Sequence, residues 1–272
     1  MWQEITAQIN DVVHEIRSLP APTGELGEVK THIDQLPAAM QQVEDVQHLI
    51  IQHIERSTEL TNTALLNSTQ STTDSNDALQ SYPSQARAEI ELVSSELQSV
   101  MYMIGNFLSL LSQDSMALKS EGIQALGRIM FLEDRQRALS SKAQELSNKA
   151  QEFGSRAVGT WINTSAKAFE VLESLRQQAK SAEAELENVS QVLGDKRCEA
   201  INLSRISDVF NQLLSLLMHL AAGLREVINL QASLKDYWND KDRLASLTAP
   251  ENARTYLTTV LKLLQMMRAQ AN

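Results

Sequence analysis

Side chains that could catalyse a reaction or bind a metal ion are few in this chain and poorly spaced for either task. Two of the five histidines, His48 and His53, are five residues apart. On a helix this spacing turns the two side chains about 140° away from one another, so they cannot share a metal ion. The sequence has no Gly-rich phosphate loop and no G-x-S-x-G motif. We therefore expect no metal site, no cofactor and no enzymatic activity.

The remaining reactive side chains each have an ordinary structural interpretation. Three carboxylates close together, Glu183, Glu185 and Glu187, are interpreted as a solvated helix face rather than as catalytic groups. The single cysteine, Cys198, is interpreted as a small apolar residue near a helix seam rather than as a reactive thiol. His219 lies in an apolar run, where a structural histidine is favoured over a pH sensor.

Composition indicates an all-α protein. The 272 residues are 43% hydrophobic but contain only nine Gly and five Pro, so there is enough apolar material for a core and few turn residues. No alternating run bounded by turn signals indicates a strand. The formal net charge of −10 argues against nucleic acid as a partner.

The periodicity that organises the chain runs from Leu139 to Leu193, where apolar or small side chains recur every three or four residues. Their spacing of about 3.6 residues is that of an α-helix, and no proline interrupts it. We predict one helix of about 80 Å, ending at Gly194. Such a helix needs long partners, so we predict a single domain over residues 1–272. Its architecture would be an elongated bundle of about four to five long helices with short terminal helices.

Proline residues indicate the other helix boundaries. Pro20 ends a first short helix, Pro83 indicates a reversal followed by a helix start, and Pro250 begins a short C-terminal helix. Residues 113–138 have the least regular pattern of the middle of the chain. They are expected to form a connector or a remodelled helical tip.

Two uncharged stretches stand out. Residues 97–113 carry no charge between Glu96 and Asp114, and residues 209–224 carry none either. In the first stretch apolar side chains face more than one side of the helix, which indicates that the helix is surrounded by protein or by lipid. That environment could be a bundle core covered by residues 209–224, or lipid at the membrane interface, since 17 residues suit partial insertion better than a full span.

We predict an apolar head or tongue over residues 97–132. The membrane-insertion candidates within it share large apolar side chains: Val100, Met101, Met103, Ile104, Phe107, Leu108, Leu110, Leu111, Ile129, Met130 and Phe131. No 18 consecutive residues are apolar, so a constitutive membrane span is not expected. The first residues lack a basic region followed by an apolar core, so a cleavable secretory signal is not expected either. We expect a protein that is soluble on its own.

The order of elements resembles that of the helical pore-forming toxins of the cytolysin A and haemolysin BL type. The resemblance extends to Ile228-Asn229-Leu230-Gln231 followed by Trp238, which is similar to the Trp-bearing amphipathic helix of the haemolysin BL group. It implies a bundle whose hydrophobic tongue enters a target membrane, export without a cleavable signal, and homo- or hetero-oligomers with similar helical proteins. Charges within the apolar segment, among them Lys119 and Arg128, point to one component of a multi-part toxin.

Two functions therefore compete. The first is a soluble pore-forming toxin or toxin component that binds membrane lipid, partner subunits or both, and rearranges its apolar segment. The alternative is a structural or adaptor bundle that acts through helix–helix interactions, with a coiled-coil-like dimer seam along residues 203–238.

Overall fold

The computed structural model describes residues 2–19, 27–69, 73–159, 166–245, 247 and 249–272. These residues contain helices and no strands, so the all-α prediction is confirmed. The helices of the described part of the chain are α1 (Trp2–Ser18), α2 (Gly27–Asn67), α3 (Thr73–Leu92), α4 (Ser94–Gly159), α5 (Ala166–Asn239), α6 (Lys241–Ala245) and α7 (Pro250–Ala271). The predicted end of the first helix before Pro20 and the predicted helix start at Pro250 are confirmed.

The predicted reversal at Pro83 is wrong, because this proline lies inside α3. A proline within a helix removes one hydrogen bond and costs about 3 kcal/mol. The neighbouring Tyr82 is 3% exposed, and its hydroxyl lies 2.8 Å from the Oγ1 of Thr61 in α2. This buried contact with α2 stabilises the helix through the proline.

The prediction of one helix from Leu139 to Leu193 is also wrong. Helix α4 ends at Gly159 and α5 begins at Ala166, so the long stripe belongs to two helices. Each helix needs the same 3.6-residue pattern to bury a face. The pattern of α4 runs into that of α5 without a change of spacing. Periodicity alone therefore could not reveal the boundary. Two stripe positions of the prediction, Trp161 and Thr164, lie outside the described residues.

The predicted helix end at Gly194 is wrong, because this glycine lies inside α5. Residues 113–138 are continuous helix within α4, so of their two predicted alternatives the connector is wrong. A Cβ at Gly194 would meet nothing within 4 Å, so this glycine is open to solvent. An exposed glycine costs a helix only about 1 kcal/mol, which the packing of a long amphipathic helix readily offsets.

The chain forms two compact units. Unit 1 contains Met1–Ser115 and Asp208–Asn272, and unit 2 contains Met116–Ser207. Helices α4 and α5 contribute residues to both units, and the prediction of a single domain over residues 1–272 stays a prediction.

Unit 1 holds most of the large buried side chains. Helix α2 packs against α1, α3 and α7. Side chains with no exposed surface include Trp2, Leu36, Ile50 and Phe210, and each buried side chain of this size contributes about 1.5–3 kcal/mol. The core of this unit is formed by the apolar stripes of six helices, as their 3.6-residue spacing requires.

Unit 2 is a helical hairpin built from residues 116–159 of α4 and 166–207 of α5. The arms are antiparallel and are joined by polar contacts: Glu133 to Arg197 at 2.6 Å, Arg135 to Glu185 at 2.5 Å, and Gln136 to Ser190 at 2.9 Å. Small buried residues such as Ala143 and Ala182 allow the helices to approach closely. Two helices can cover only one face of each other, so much apolar surface stays exposed in this unit.

Candidate membrane-binding segments

The candidates between residues 100 and 111 lie in unit 1, and half of them face its core. Val100 is 4% exposed, Phe107 is 9% exposed, and Ile104 and Leu111 have no exposed surface. Met101, Met103, Leu108 and Leu110 flank this stripe and are partly exposed. The buried four are spaced by three or four residues, which is the pattern of a core-facing helix.

Helix α5 covers this stretch, and hydrogen bonds mark both ends of the covered region. Ser94 Oγ lies 3.4 Å from Gln231 Oε1, and Ser115 Oγ lies 3.4 Å from Asn211 Oδ1. Residue numbers fall on α5 as they rise on α4, so the helices are antiparallel here. The uncharged residues 97–113 and 209–224 therefore lie alongside one another, as the core interpretation of the sequence required. Insertion of residues 100–111 into lipid stays a prediction.

Helix α5 is also the one helix, among the described residues, that is long and apolar enough to cross a membrane. Over Phe169–Asn239 it contains an 18-residue window with a mean hydropathy of 1.4, and 44% of that window is buried. A core helix of a soluble protein has the same properties, so this window does not identify a span.

The remaining three candidates lie in unit 2. Ile129 is 9% exposed and faces the other arm, whereas Met130 and Phe131 are 67% and 66% exposed. They belong to a larger surface, here called the α4 patch, whose members are exposed apolar side chains of one helix: Met116, Ile123, Leu126, Met130 and Phe131. Several large apolar side chains exposed on one helix of a soluble protein favour contact with another molecule or with a membrane.

A further apolar segment joins the arms of the unit 2 hairpin. The sequence carries no charge over residues 157–166, between Arg156 and Lys167. On the α5 side Phe169 and Val171 are 68% and 47% exposed. We refer to residues 157–171 as the junction segment. The sequence analysis did not predict this segment because it assigned these residues to the interior of one long helix. The signal that could have indicated it is the lack of charge over residues 157–166.

The hairpin arms remain in contact next to the junction segment. A Cβ built on Gly154 would lie 3.9 Å from Leu172 Cδ1, an ordinary packing distance. The arms therefore pack against each other from residues 133 and 197 to residues 154 and 172.

The reactive side chains form no group that could hold a metal ion in the part of the chain that the structure describes. No cluster of three or more His, Cys, Asp or Glu is found there. His53 Nδ1 lies 2.7 Å from Glu89 Oε2, joining α2 to α3. His219 is exposed on α5. Cys198 is exposed, so its interpretation as a seam residue is wrong; it lies on the outer surface of the unit 2 hairpin.

No protein-family model and no curated protein sequence matches this chain. Solved structures with the same fold do exist. The soluble AhlC triple head mutant of the tripartite α-pore-forming toxin AHL from Aeromonas hydrophila matches with a TM-score of 0.83 and 13% sequence identity, over 100% of this chain and 97% of AhlC. XaxA from Xenorhabdus nematophila matches with a TM-score of 0.63 and 12% identity, over 98% of this chain and 94% of XaxA.

The fold also occurs in an assembled pore. The SmhB pore of the tripartite α-pore-forming toxin Smh from Serratia marcescens matches with a TM-score of 0.57 and 12% identity, over 97% of this chain and 99% of the SmhB chain. AhlC and SmhB each belong to a tripartite α-pore-forming toxin. The chain described here has the fold of the α-pore-forming toxin components.

Proposed function

We propose that this chain is a soluble component of a helical pore-forming toxin, without catalytic activity, that binds a target membrane and similar helical subunits. The observation that carries the proposal is the fold similarity to soluble AhlC over 100% of the chain. The exposed apolar surface of unit 2 supports it, because a soluble protein that meets lipid or partners needs such a surface. The protein is soluble until it meets them.

The junction segment is the first candidate for insertion into lipid. It is uncharged over residues 157–166, and the exposed Phe169 and Val171 continue its apolar character. Charges in hydrocarbon cost about 2.5–3.5 kcal/mol each even on lenient scales. Residues 157–166 bring none, whereas Lys167 and Glu170 at the α5 end of the junction segment are charged. Ten uncharged residues are too few to cross a bilayer as a helix, so one such segment would enter the membrane only in part.

Residues 100–111, together with 129–131, are the second candidate. Insertion of residues 100–111 requires this part of helix α4 to leave the core of unit 1, whereas Met130 and Phe131 are already exposed in unit 2. Ile104 and Leu111 have no exposed surface, and each gives up about 1.5–3 kcal/mol of burial when it leaves. Burial in lipid would have to offset this cost, which makes the second candidate a larger rearrangement than the first.

The α4 patch is the proposed contact surface for partner subunits. Its five apolar side chains lie within residues 116–131, about four turns of one helix. A helix of a similar subunit packs on such a stripe by the same ridge-and-groove geometry that joins the arms of the hairpin. The likeness to SmhB, which was solved as a pore, supports oligomers of similar helical proteins.

A cysteine scan with an environment-sensitive dye tests the proposal. The single native cysteine, Cys198, is exposed and is first replaced by serine. Dye is then placed at positions 169 and 171 for the junction segment, at 104 and 107 for the core stretch, and at 130 for the α4 patch. Emission is measured before and after liposomes are added, alone and with similar helical proteins encoded nearby in the genome.

We expect lipid to shift the emission at 169 and 171 to the blue and to leave 104 and 107, which are already buried, unchanged. A shift at 104 and 107 would favour the second candidate segment. If neither segment responds and no mixture releases dye trapped in liposomes or cells, the proposal fails. Residue 66, occupied by an exposed leucine of α2 in unit 1, gives a matched control position.

The α4 patch also fits the adaptor alternative, in which the protein binds other helices and never enters lipid. Sedimentation separates the two functions. An adaptor forms a stable dimer or complex without amphiphile, and substitution of Phe131 by serine disrupts it. A toxin component forms large oligomers only when lipid, detergent or its partner subunits are present.

A further inference from the structure

A cavity of about 880 Å³ lies in unit 1, where α3 meets the end of α5 and helix α6. One wall is a face of α3 that includes Leu79, Pro83 and Arg87, and the other wall includes Trp238 and Lys241. Its volume is in the range of pockets that hold small molecules. It lies in the unit that does not contain the junction segment.

The floor of the cavity is apolar. Trp238 is 2% exposed, and Leu79 and Leu247 are each 7% exposed. Leu244 is half-buried beside them. An aromatic ring and aliphatic side chains on a floor of this kind favour the apolar body of a ligand over water.

The rim carries a cation that is held in place. Arg87 Nε donates to Glu91 Oε1 at 2.7 Å, and Arg87 Nη1 donates to Asn239 Oδ1 at 2.6 Å. These two bonds fix the plane of the guanidinium, and the hydrogen bond from Arg87 lowers the pKa of the Glu91 carboxyl. A guanidinium has five N–H donors, so the described contacts leave Nη2 to meet a carboxylate or phosphate. Lys241 adds a second cation to the rim.

An apolar floor with two cations at its rim, one of them paired with the Glu91 carboxylate, matches one class of ligand. We propose that this cavity binds a single-chain amphiphile with an anionic head, with the chain over Trp238 and the head at Arg87 and Lys241. The head can be the carboxylate of a fatty acid or the phosphate of a single-chain lipid, since both accept hydrogen bonds from a guanidinium. The binding site does not depend on pore formation and is tested without a membrane.

Fluorescence of Trp238 reports binding directly. The chain has three tryptophans, so the Trp2→Phe, Trp161→Phe variant leaves Trp238 as the sole emitter. This variant is titrated with decanoate, with decyl phosphate, and with the neutral decyl maltoside, each below its critical micelle concentration. We expect a saturable change in emission with one or both anionic probes, and at least about tenfold weaker binding of the neutral probe, which lacks the charge-assisted hydrogen bond.

Two substitutions separate the head site from the chain site. Arg87→Ala should weaken binding of the anionic probes about tenfold, because one charge-assisted hydrogen bond is lost. Ala88→Phe, at an exposed position of the rim, should fill the cavity and abolish binding of every probe. Arg137→Ala, which removes an exposed arginine of unit 2, is the matched control and should leave the affinities unchanged.

The proposal is overturned if the emission does not saturate, or if the neutral probe binds as tightly as the anionic ones. It is equally overturned if Ala88→Phe binds normally, or if Arg87→Ala loses no affinity. Circular dichroism and urea unfolding confirm that each variant is folded, and Arg87→Lys, which keeps the charge, should restore part of the affinity. None of these results depends on whether the protein forms pores.

Discussion

His32 Nδ1 lies 2.8 Å from Asp114 Oδ2 and joins α2 to α4 within unit 1. Asp114 is only 8% exposed and is the first charge after the uncharged residues 97–113. A buried carboxylate without a partner costs several kcal/mol. The histidine therefore allows an acidic residue to end the apolar stretch while remaining packed in the core.

Removing this histidine should destabilise unit 1. His32→Leu leaves the Asp114 carboxylate buried without its partner, and we expect a loss of about 1–3 kcal/mol in the free energy of unfolding, measured in urea at pH 7. The Arg137→Ala control breaks an exposed pair with Asp134, 3.1 Å long, and should change stability by less than about 1 kcal/mol. Equal effects of the two substitutions would contradict a stabilising role for the buried pair.

A second prediction concerns Gln231, a polar residue at a core-facing position of α5. It is 4% exposed, and its Nε2 donates to the carbonyl oxygen of Ile90 at 2.7 Å. Ile90 lies in the last turn of α3, where carbonyl groups lack helical partners. Gln231→Leu leaves this buried carbonyl without its donor, so we expect a loss of about 1–3 kcal/mol in unfolding free energy.

The exposed neighbour Asn229 gives the matched control. Asn229→Leu makes a similar polar-to-apolar change on the solvent side of α5 and should change the unfolding free energy by less than about 0.5 kcal/mol. If Gln231→Leu is as stable as the unmodified protein, the hydrogen bond to Ile90 does not serve as a cap for α3.

A third prediction tests the environment of the core stretch. Ile104 has no exposed surface, whereas Tyr102 on the same helix is 74% exposed. Ile104→Ala removes buried methyl groups and leaves a cavity, so it should cost about 2–5 kcal/mol in unfolding free energy. Tyr102→Ala should cost less than about 0.5 kcal/mol. A small effect of Ile104→Ala would mean that residues 100–111 are not core in the soluble protein.

The sequence predicted the helix content and the buried faces better than the chain reversals. The 3.6-residue spacing identified one face of each helix: Leu139 and Leu193 are buried, whereas Leu146 and Leu172 of the same stripe are only partly buried. The spacing does not predict which helix covers this face. The covering helix could come from another part of the chain, or from the second half of the same stripe after a chain reversal. Glycines were equally ambiguous, since Gly194 is open to solvent inside α5 and a single glycine does not end a well-packed helix.

The candidate site was predicted in part. Met130 and Phe131 were selected for their apolar side chains and lie on an exposed patch, whereas Ile104 was selected by the same criterion and lies in the core. Apolar composition identifies residues that avoid water, but the neighbouring helix decides which of them are covered. The uncharged residues 209–224 supply that cover for residues 97–113, while unit 2 has only two arms and leaves the α4 patch exposed.

The last prediction concerns alkaline pH. Tyr82 is 3% exposed, and burial raises the pKa of its phenol from 10.0 to about 12, against a smaller opposing effect of the hydrogen bond with Thr61. Burial also raises the pKa of Tyr256. As the pH rises past 10, the unfolded chain loses these protons while the folded protein keeps them, so the unfolded state binds fewer protons and the unfolding free energy falls.

Urea unfolding between pH 8 and pH 11.5 measures this loss. We expect Tyr82 alone to contribute a slope approaching about 1.4 kcal/mol per pH unit above pH 10, since one proton is released on unfolding. Tyr82→Phe should reduce the slope by that amount and leave the part due to Tyr256. Tyr102→Phe, at an exposed phenol, should leave the slope unchanged. If the slope is the same with and without the Tyr82 hydroxyl, burial does not raise the pKa of this phenol in the folded protein.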